Sequence, residues 1–149
     1  MSEAVFGRFD GKTHILPLRI YYEDTDLSGV VYHANYLRFM ERGRSEYFRG
    51  AGIEKLAMLD DDEPTAWTLR KVTLDYFRPA RVDDLIEVHT RCTGLSGARM
   101  VADQRIYAAG ELLVHGAVEA CIITLKGRPR RIPEEMRAKL APLLCETGV

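Results

Sequence analysis

Four β-rich segments follow one another in the second half of the chain, and this run limits the possible fold more than any other feature. The segments cover residues 66–77, 84–95, 99–108 and 111–125. The stretches between them are short enough for hairpins or modest turns. The alternation of Val88, Thr90 and Cys92 has the period of two that a half-buried strand shows. The sequence therefore predicts strands that pair antiparallel in succession.

A helix is predicted before these strands, from about Asn35 to Arg49. Its apolar residues share one helical face, whereas the charged residues lie elsewhere. That face comprises Tyr36, Phe39, Met40, Gly43 and Tyr47. Gly43 costs about 1 kcal/mol relative to Ala in a helix, and a close approach to another surface would justify that cost. The order of elements predicts an α+β fold in which a long helix packs on one face of a twisted antiparallel sheet.

Three further elements are predicted with shorter signals. Residues 14–22 are rich in β-favouring side chains and predict a strand that ends near Glu23. A short helix is predicted around Ile53 to Leu59, and a terminal helix is predicted from Pro133, since Pro is accepted at the first helical position. The chain shows no repeat, low-complexity tract or second domain, so we expect residues 1–149 to form a single domain.

Composition excludes several classes of function. The 21 basic and 22 acidic residues leave a formal net charge of −1, which gives no overall field for nucleic acid or an anionic membrane. No apolar stretch approaches the roughly 20 residues of a spanning helix, and the N-terminus lacks the pattern of a signal peptide. Cys92, Cys121 and Cys145 are odd in number and form no CxxC pair, which fits a reducing compartment. We therefore expect a cytoplasmic protein without nucleic-acid binding or stable membrane insertion.

The segment at residues 21–36, YYEDTDLSGVVYHANY, combines an acidic turn with a histidine just before the helix. Asp26 lies in that turn, and His33 lies at the helix entrance. Backbone N–H groups at a helix start have no partner within the helix, and the helix dipole is positive there. A developing oxyanion would thus be stabilised beside a carboxylate base, which is a hydrolytic arrangement.

The same segment resembles the 4-hydroxybenzoyl-CoA thioesterase family of hotdog-fold proteins, in particular its subgroup of acyl-CoA thioesterases associated with the Tol-Pal system. The resemblance rests on the string D-x-D-x-x-G-V-V-Y-H-x-N-Y from Asp24 to Tyr36 and on the helix from Phe39 to Arg44. It implies a hotdog fold that forms a homo-oligomer, at least a dimer and often a homotetramer, with each site between subunits. The implied reaction converts short- to medium-chain or aromatic acyl-CoA thioesters to free acid and CoA without a cofactor or metal.

The resemblance also assigns roles to single residues. Asp26 matches the catalytic carboxylate, which either activates water or attacks the thioester to give an anhydride. The backbone N–H of His33 matches the donor that polarises the thioester carbonyl, and the side chains of His33 and Tyr22 are implied to lie in the site. The candidates for substrate binding are Gly29, Val30, Tyr32, Asn35 and Glu41, with Arg78 and Arg81 for the phosphates of CoA.

Structural interpretations of the same residues remain open at this stage. Asp26 would also serve in an Asx turn or as a helix cap, His33 would also pack at the helix start, and Glu41 would also pair with neighbouring arginines. A divalent cation could be bound by Asp24 together with Asp26, His33 and Glu41, but the spacing of these residues fits no established metal pattern. His89 and His115 lie in strands without acidic partners nearby in sequence, so we expect structural roles for them.

Two rival functions also remain open. One is a non-enzymatic scaffold of the Tol-Pal machinery at the cell envelope that binds acyl-CoA or acyl carrier protein. The other is a hotdog enoyl-thioester hydratase, although the H-F-P pattern of the dehydratase type is not found in the sequence. An acyl carrier protein also remains a possible partner of the thioesterase, in place of CoA as the acyl carrier.

Overall fold

The computed structural model describes residues 6–54, 57–59 and 61–145, and its centre is one antiparallel sheet. The strands are β1 (Arg8–Asp10), β2 (Thr13–Arg19), β3 (Ala57–Met58), β4 (Thr65–Tyr76), β5 (Leu85–Ser96), β6 (Arg99–Ala108) and β7 (Glu111–Thr124). They lie in the order β1-β2-β5-β6-β7-β4-β3. The helices are α1 (Asn35–Gly50) and α2 (Glu134–Leu140), with 3-10 turns at Tyr22–Asp24 and Ala141–Leu143. Among the described residues, no helix is both long and apolar enough to cross a membrane.

The four long strands and both predicted terminal positions of α1 are confirmed to within one or two residues. Two predictions are wrong. The first strand ends at Arg19 and not at Tyr22, because Tyr22–Asp24 forms a 3-10 turn in which the Asp24 carboxylate accepts the Tyr21 N–H at 2.8 Å. Of the predicted helix 53–59, residues 55 and 56 lie outside the described residues, and Ala57–Met58 pairs with β4 as a strand.

α1 packs on one face of the sheet through its predicted apolar face, and all five residues of that face are buried. Gly43 is the point of closest approach: a Cβ atom there would lie 2.6 Å from Cγ1 of Val88 and 3.0 Å from Oγ1 of Thr90. Real Cβ contacts are longer than this, so only glycine lets the helix reach this depth. The predicted reason for a glycine in the helix is confirmed.

A buried polar network joins α1 to the sheet beside Gly43. Gln104 on β6 is fully buried, and its Nε2 donates to the Met40 carbonyl at 2.8 Å and to Thr90 Oγ1 at 2.9 Å. Its Oε1 accepts a hydrogen bond from Arg44 Nη1 at 2.9 Å. Burial is also the main reason why the pKa of Arg44 lies below its usual value. Each buried polar atom of the Gln104 amide thus has a partner, as buried amides require.

The sheet has an open edge along β4. β3 is only two residues long and pairs with Thr65 and Ala66. Within the described ranges, no strand pairs with the remaining outer edge of β4, from Trp67 to Tyr76. Leu69 and Tyr76, on the face that carries α1, are 47% and 48% exposed. A long strand edge with exposed apolar side chains is a surface on which another chain can pair.

Candidate active site

Asp26 begins a tight turn that the backbone defines closely. Its N–H donates to the Val30 carbonyl at 3.0 Å, and its carbonyl accepts the Gly29 N–H at 3.1 Å. Gly29 has φ of +82°, a conformation that residues with a side chain rarely adopt. The glycine of the motif is therefore explained by the turn that presents Asp26.

Hydrogen bonds join this turn to the start of α1. The Asp24 carbonyl accepts both the Tyr32 N–H at 3.0 Å and the side-chain amide of Asn35 at 2.8 Å. Thr25 and Val31 also form an isolated antiparallel bridge. Asn35, predicted to bind substrate, thus makes a structural contact, and the chain between Asp24 and Asn35 is a short loop closed at its base.

The carboxylate of Asp26 is exposed and held through one oxygen. Oδ1 accepts the Ser28 N–H at 2.8 Å and the Ser28 hydroxyl at 2.5 Å. The Ser28 hydroxyl and then the Ser28 N–H lower the pKa of Asp26 below its usual value, and His33 adds a smaller electrostatic contribution. The Asx turn that the sequence left open is therefore present, and it favours the ionised carboxylate that a base or nucleophile needs.

His33 lies just before the start of α1, and a residue of the sheet forms a hydrogen bond with its backbone. The hydroxyl of Tyr76, at the end of β4, donates to the His33 carbonyl at 2.9 Å. The His33 N–H donates to no acceptor in the described part of the chain. Its exposed ring lies 4.6 Å from the ring of Tyr32, centroid to centroid. The loop that begins with the Asp26 turn thus ends at an available N–H at the start of α1, and the catalytic roles of Asp26 and His33 stay predictions.

The segment after β4 lies against the same loop. The Val31 N–H donates to the Ala80 carbonyl at 2.9 Å, and Val30 forms a bridge with Arg81. The Ala80 N–H in turn donates to the hydroxyl of buried Tyr36 at 2.9 Å. Arg81 therefore lies beside the loop that carries Asp26, and its binding of a CoA phosphate stays a prediction.

Two other predicted residues lie at the surface around this loop. Tyr22 is 84% exposed, and its carbonyl accepts the Thr25 hydroxyl at 2.7 Å. Arg78 is exposed and lies 3.7 Å from the Glu111 carboxylate, measured from Nε to Oε2. The side chains of Tyr22 and Arg78 are therefore open to solvent and accessible to a ligand.

Glu41 lies in different surroundings from those of the Asp26 loop. Its position is eight residues after His33, or about 12 Å along the helix axis at 1.5 Å per residue. It borders a pocket of about 260 Å³ between α1 and strands β4, β6 and β7. Phe48, Trp67, Leu69 and Met100 give this pocket an apolar lining, and none of its lining residues belongs to the Asp26 loop.

The imagined metal site is not assembled. In the ranges that the structure describes, no group of three or more His, Cys, Asp or Glu side chains is arranged to hold a metal ion. His89 and His115, for which we expect structural roles, each lie beside an acidic side chain in the sheet. His89 Nε2 lies 3.1 Å from Glu87 Oε1, and His115 Nε2 lies 2.6 Å from Asp103 Oδ1 across the strand pair β6–β7.

Sequence reasoning missed two residues of the loop's environment. Ser28 was passed over, although a serine two positions after an aspartate is a typical partner in an Asx turn. Tyr76 gave no local signal, because 43 residues separate it from the His33 carbonyl that it contacts. Only the register of β4 against the rest of the sheet places its hydroxyl there.

Comparison with known proteins gives one family. The model of the thioesterase superfamily matches residues 28–115, a span that begins two residues after Asp26. The acyl-CoA thioester hydrolase YbgC of Escherichia coli O6:H1 is 41% identical over 125 residues, 83% of this chain and 92% of the relative. The acyl-CoA thioesterase YbgC of Haemophilus influenzae is 37% identical over 123 residues, 82% of this chain and 90% of the relative. The crystal structure of a probable thioesterase from Bartonella henselae has a TM-score of 0.76 at 41% identity, covering 82% of this chain and 98% of that one. The chain therefore belongs to the thioesterase superfamily and has the hotdog fold that the motif around Asp26 predicts.

Proposed function

We propose that this protein is an acyl-CoA thioesterase that hydrolyses short- to medium-chain or aromatic acyl-CoA to the free acid and CoA. The observation that carries the proposal is one short closed loop that holds both an exposed, ionised carboxylate, Asp26, and the available N–H of His33 at the start of α1. The names of the YbgC relatives from Escherichia coli and Haemophilus influenzae support the same substrate class.

In the proposed reaction, the His33 N–H binds the thioester oxygen as negative charge develops on it. Asp26 acts by one of two routes. As a general base, it takes a proton from water, the water oxygen bonds to the carbonyl carbon, and the C–S bond breaks. As a nucleophile, it bonds to the carbonyl carbon itself and expels CoA thiolate, and water then hydrolyses the anhydride. In both routes the products are a carboxylic acid and the CoA thiol.

The remaining predicted residues would bind and orient the substrate. The exposed side chains of Tyr22, Tyr32 and His33 border the loop and would contact the thioester or the pantetheine arm. Arg78 and Arg81 lie on the adjoining segment, where guanidinium groups would pair with the CoA phosphates. An acyl carrier protein in place of CoA is compatible with the same carboxylate and N–H donor.

We also propose that the site is completed by a second copy of the chain. The open edge from Trp67 to Tyr76 is about 30 Å long at 3.3 Å per residue. If two such edges pair antiparallel about a twofold axis, the Trp67 end of one strand lies beside the Tyr76 end of the other. The apolar pocket of one copy would then adjoin His33 of its partner and receive the acyl group, with Glu41 at its rim.

The oligomeric state follows as a prediction. Sedimentation of the purified protein at micromolar concentration should give a mass of at least twice 16.9 kDa, as a homodimer or homotetramer. Replacing Leu69 by Arg would place a charge on the exposed apolar edge and should shift the protein toward the monomer. A monomeric wild-type protein with full activity would contradict a site shared between copies.

Location and domain structure complete the proposal. Cys92, Cys121 and Cys145 are free thiols in the described chain, which supports a reducing, cytoplasmic location. The seven strands form one continuous sheet, which supports a single hotdog domain over residues 1–149.

An association with the Tol-Pal machinery would be tested by recovering its components with the tagged protein from bacterial extracts.

The function is tested by incubating the protein with a panel of acyl-CoAs, from short aliphatic to aromatic. Loss of thioester absorbance is the proper readout, because the partly exposed thiols of Cys121 and Cys145 would react with a thiol-sensitive dye. Hydrolysis with release of CoA is expected. Loss of enoyl absorbance without thiol release would indicate a hydratase instead, and binding of CoA analogues without turnover would indicate a scaffold.

Tyr76→Phe should lower kcat/KM by roughly three- to tenfold, the range of one neutral hydrogen bond. The change removes the donor to the His33 carbonyl and leaves the ring against Tyr36, 5.7 Å away between centroids. The His33 N–H would then be held less firmly toward the thioester oxygen. Steady-state kinetics check the loss, and circular dichroism checks that the fold is kept. An unchanged kcat/KM would show that Tyr76 does not position the donor.

A further inference from the structure

We propose that Ser28 is a positioning residue for Asp26: it holds Oδ1 of the carboxylate and leaves Oδ2 as the oxygen that takes the proton or attacks the thioester. The inference rests on the proposed thioesterase function, since it concerns the reacting atom of that site. It goes beyond the motif, in which the position of Ser28 is one of the unspecified residues between Asp26 and Gly29.

The first support is the geometry of the two hydrogen bonds. Both donors of Ser28 converge on the same oxygen, the N–H at 2.8 Å and the hydroxyl at 2.5 Å. A distance of about 2.5–2.7 Å is typical of a hydroxyl that donates to a carboxylate, which is among the stronger hydrogen bonds in proteins. Two donors on one oxygen fix the rotation of the carboxyl group as well as its position.

The second support is the state of the other oxygen. No other described residue donates a hydrogen bond to Oδ2 of Asp26, and the side chain is exposed. The N–H of Asp26 itself also favours the ionised carboxylate. A carboxylate with one oxygen engaged and one free presents a single lone-pair site to the substrate. Reaction through Oδ2 leaves both Ser28 contacts in place, whereas reaction through Oδ1 would first have to break them.

The third support is that the Ser28 hydroxyl is not needed to close the turn. The turn itself is already closed through the backbone, by the bonds between Asp26 and Val30 and between Gly29 and Asp26. The Ser28 hydroxyl has no further partner in the described chain, and the residue is exposed. The Ser28 hydroxyl thus contacts the Asp26 carboxylate, and this hydrogen bond favours the ionised form of Asp26.

Other charged or titratable groups lie around the turn and set the background for any pH effect. Asp24 and Glu23 lie on the same segment, His33 lies at the helix entrance, and Tyr76 lies at the end of β4. Arg81, on the segment that bridges to Val30, contributes a positive charge. Ser28 differs from all of these because it contacts the carboxylate directly, so its removal changes the titration of Asp26 without changing any charge.

The test compares Ser28→Ala with Ser28→Thr, which keeps a hydroxyl. Two readouts are used: the titration of the Asp26 carboxyl carbon by NMR, with the signal assigned by its loss in Asp26→Asn, and the pH profile of kcat/KM. In Ser28→Ala the pKa of Asp26 should rise, because the largest contribution that lowers it is gone. The acid limb of kcat/KM should move to higher pH, and kcat should fall by roughly two- to tenfold, as for one partly solvated charge-assisted hydrogen bond. Ser28→Thr should restore both.

Ser96→Ala serves as the matched control, because Ser96 is an exposed serine at the end of β5. It should leave the titration and the profile unchanged. The inference is overturned if Ser28→Ala leaves the Asp26 titration unchanged, or if kcat falls while the acid limb stays in place, since a merely structural role would do the latter. Full activity of Asp26→Asn would instead overturn the proposed function, and the two failures are therefore distinct.

Discussion

Asp26→Asn should lower kcat for acyl-CoA hydrolysis by about 10²- to 10⁴-fold, the usual range for loss of a general base. The amide keeps the size of the carboxylate, and its oxygen still accepts hydrogen bonds from Ser28, so the turn should persist. What is lost is the negative charge that takes a proton or attacks the thioester. Steady-state hydrolysis, with circular dichroism and sedimentation as checks on fold and assembly, measures the effect.

Asp24→Asn is the matched control for this variant. Asp24 lies two residues earlier, and its carboxylate accepts the Tyr21 N–H at 2.8 Å, a contact that an amide oxygen can replace. We expect nearly unchanged kcat for Asp24→Asn. Equal losses in the two variants would show that the turn, rather than the Asp26 carboxylate, is needed for activity.

The two proposed routes differ in where a water oxygen first goes. In a single turnover in ¹⁸O-labelled water, the base route places the label in the acid product. The nucleophilic route places it in Asp26 when water attacks the aspartyl carbonyl of the anhydride. Label in the peptide that contains Asp26, detected by mass spectrometry, therefore identifies the nucleophilic route, whereas label in the acid product also arises when water attacks the acyl carbonyl of the anhydride. Label in Asp26 identifies it as the nucleophile, whereas label in the acid product alone leaves the role of Asp26 to be decided by the loss of activity in Asp26→Asn.

The local part of the structure could be predicted from the sequence. The Asp26 turn, the helix start at Asn35 and the buried face around Gly43 depend on residues close together in the chain, so patterns of spacing reveal them. The long strands were predictable for the same reason, since alternation and turns are local signals. The end of β2 was not, because the 3-10 turn at Tyr22–Asp24 depends on a side-chain contact rather than on strand propensity.

Long-range partners could not be predicted in this way. His115 meets Asp103, and Tyr76 meets the His33 carbonyl, only because strand register brings distant residues together. A shift of one residue in that register would turn these side chains to the opposite face. The proposed use of the pocket beside Trp67 would depend on a second copy of the chain, which a single sequence does not describe. Contacts within one loop can therefore be predicted from the sequence, whereas contacts that depend on strand pairing cannot.

Gly43→Leu should lower the free energy of unfolding by about 3 kcal/mol or more, toward the upper end of overpacking costs. A Cβ atom alone would lie 2.6 Å from Val88 Cγ1 and 3.1 Å from Gln104 Nε2, so the larger side chain must push α1 off the sheet. That displacement also strains the Gln104 bond to the Met40 carbonyl. Thermal melting at fixed protein concentration should show a fall of at least about 6 °C, at 2–4 °C per kcal/mol for this size.

Two further variants show whether this loss comes from the close approach. Gly43→Ala gains about 1 kcal/mol of helix propensity but still meets Val88, so its melting temperature should lie between those of the wild type and Gly43→Leu. Arg42→Leu adds the same side chain at the neighbouring exposed position and should change stability by no more than about 0.5 kcal/mol. If the melting temperature of Gly43→Leu equals that of the wild type, α1 is not packed closely against β5 at this point. Since α1 also carries the His33 entrance, a destabilised packing at Gly43 should lower activity through the same displacement.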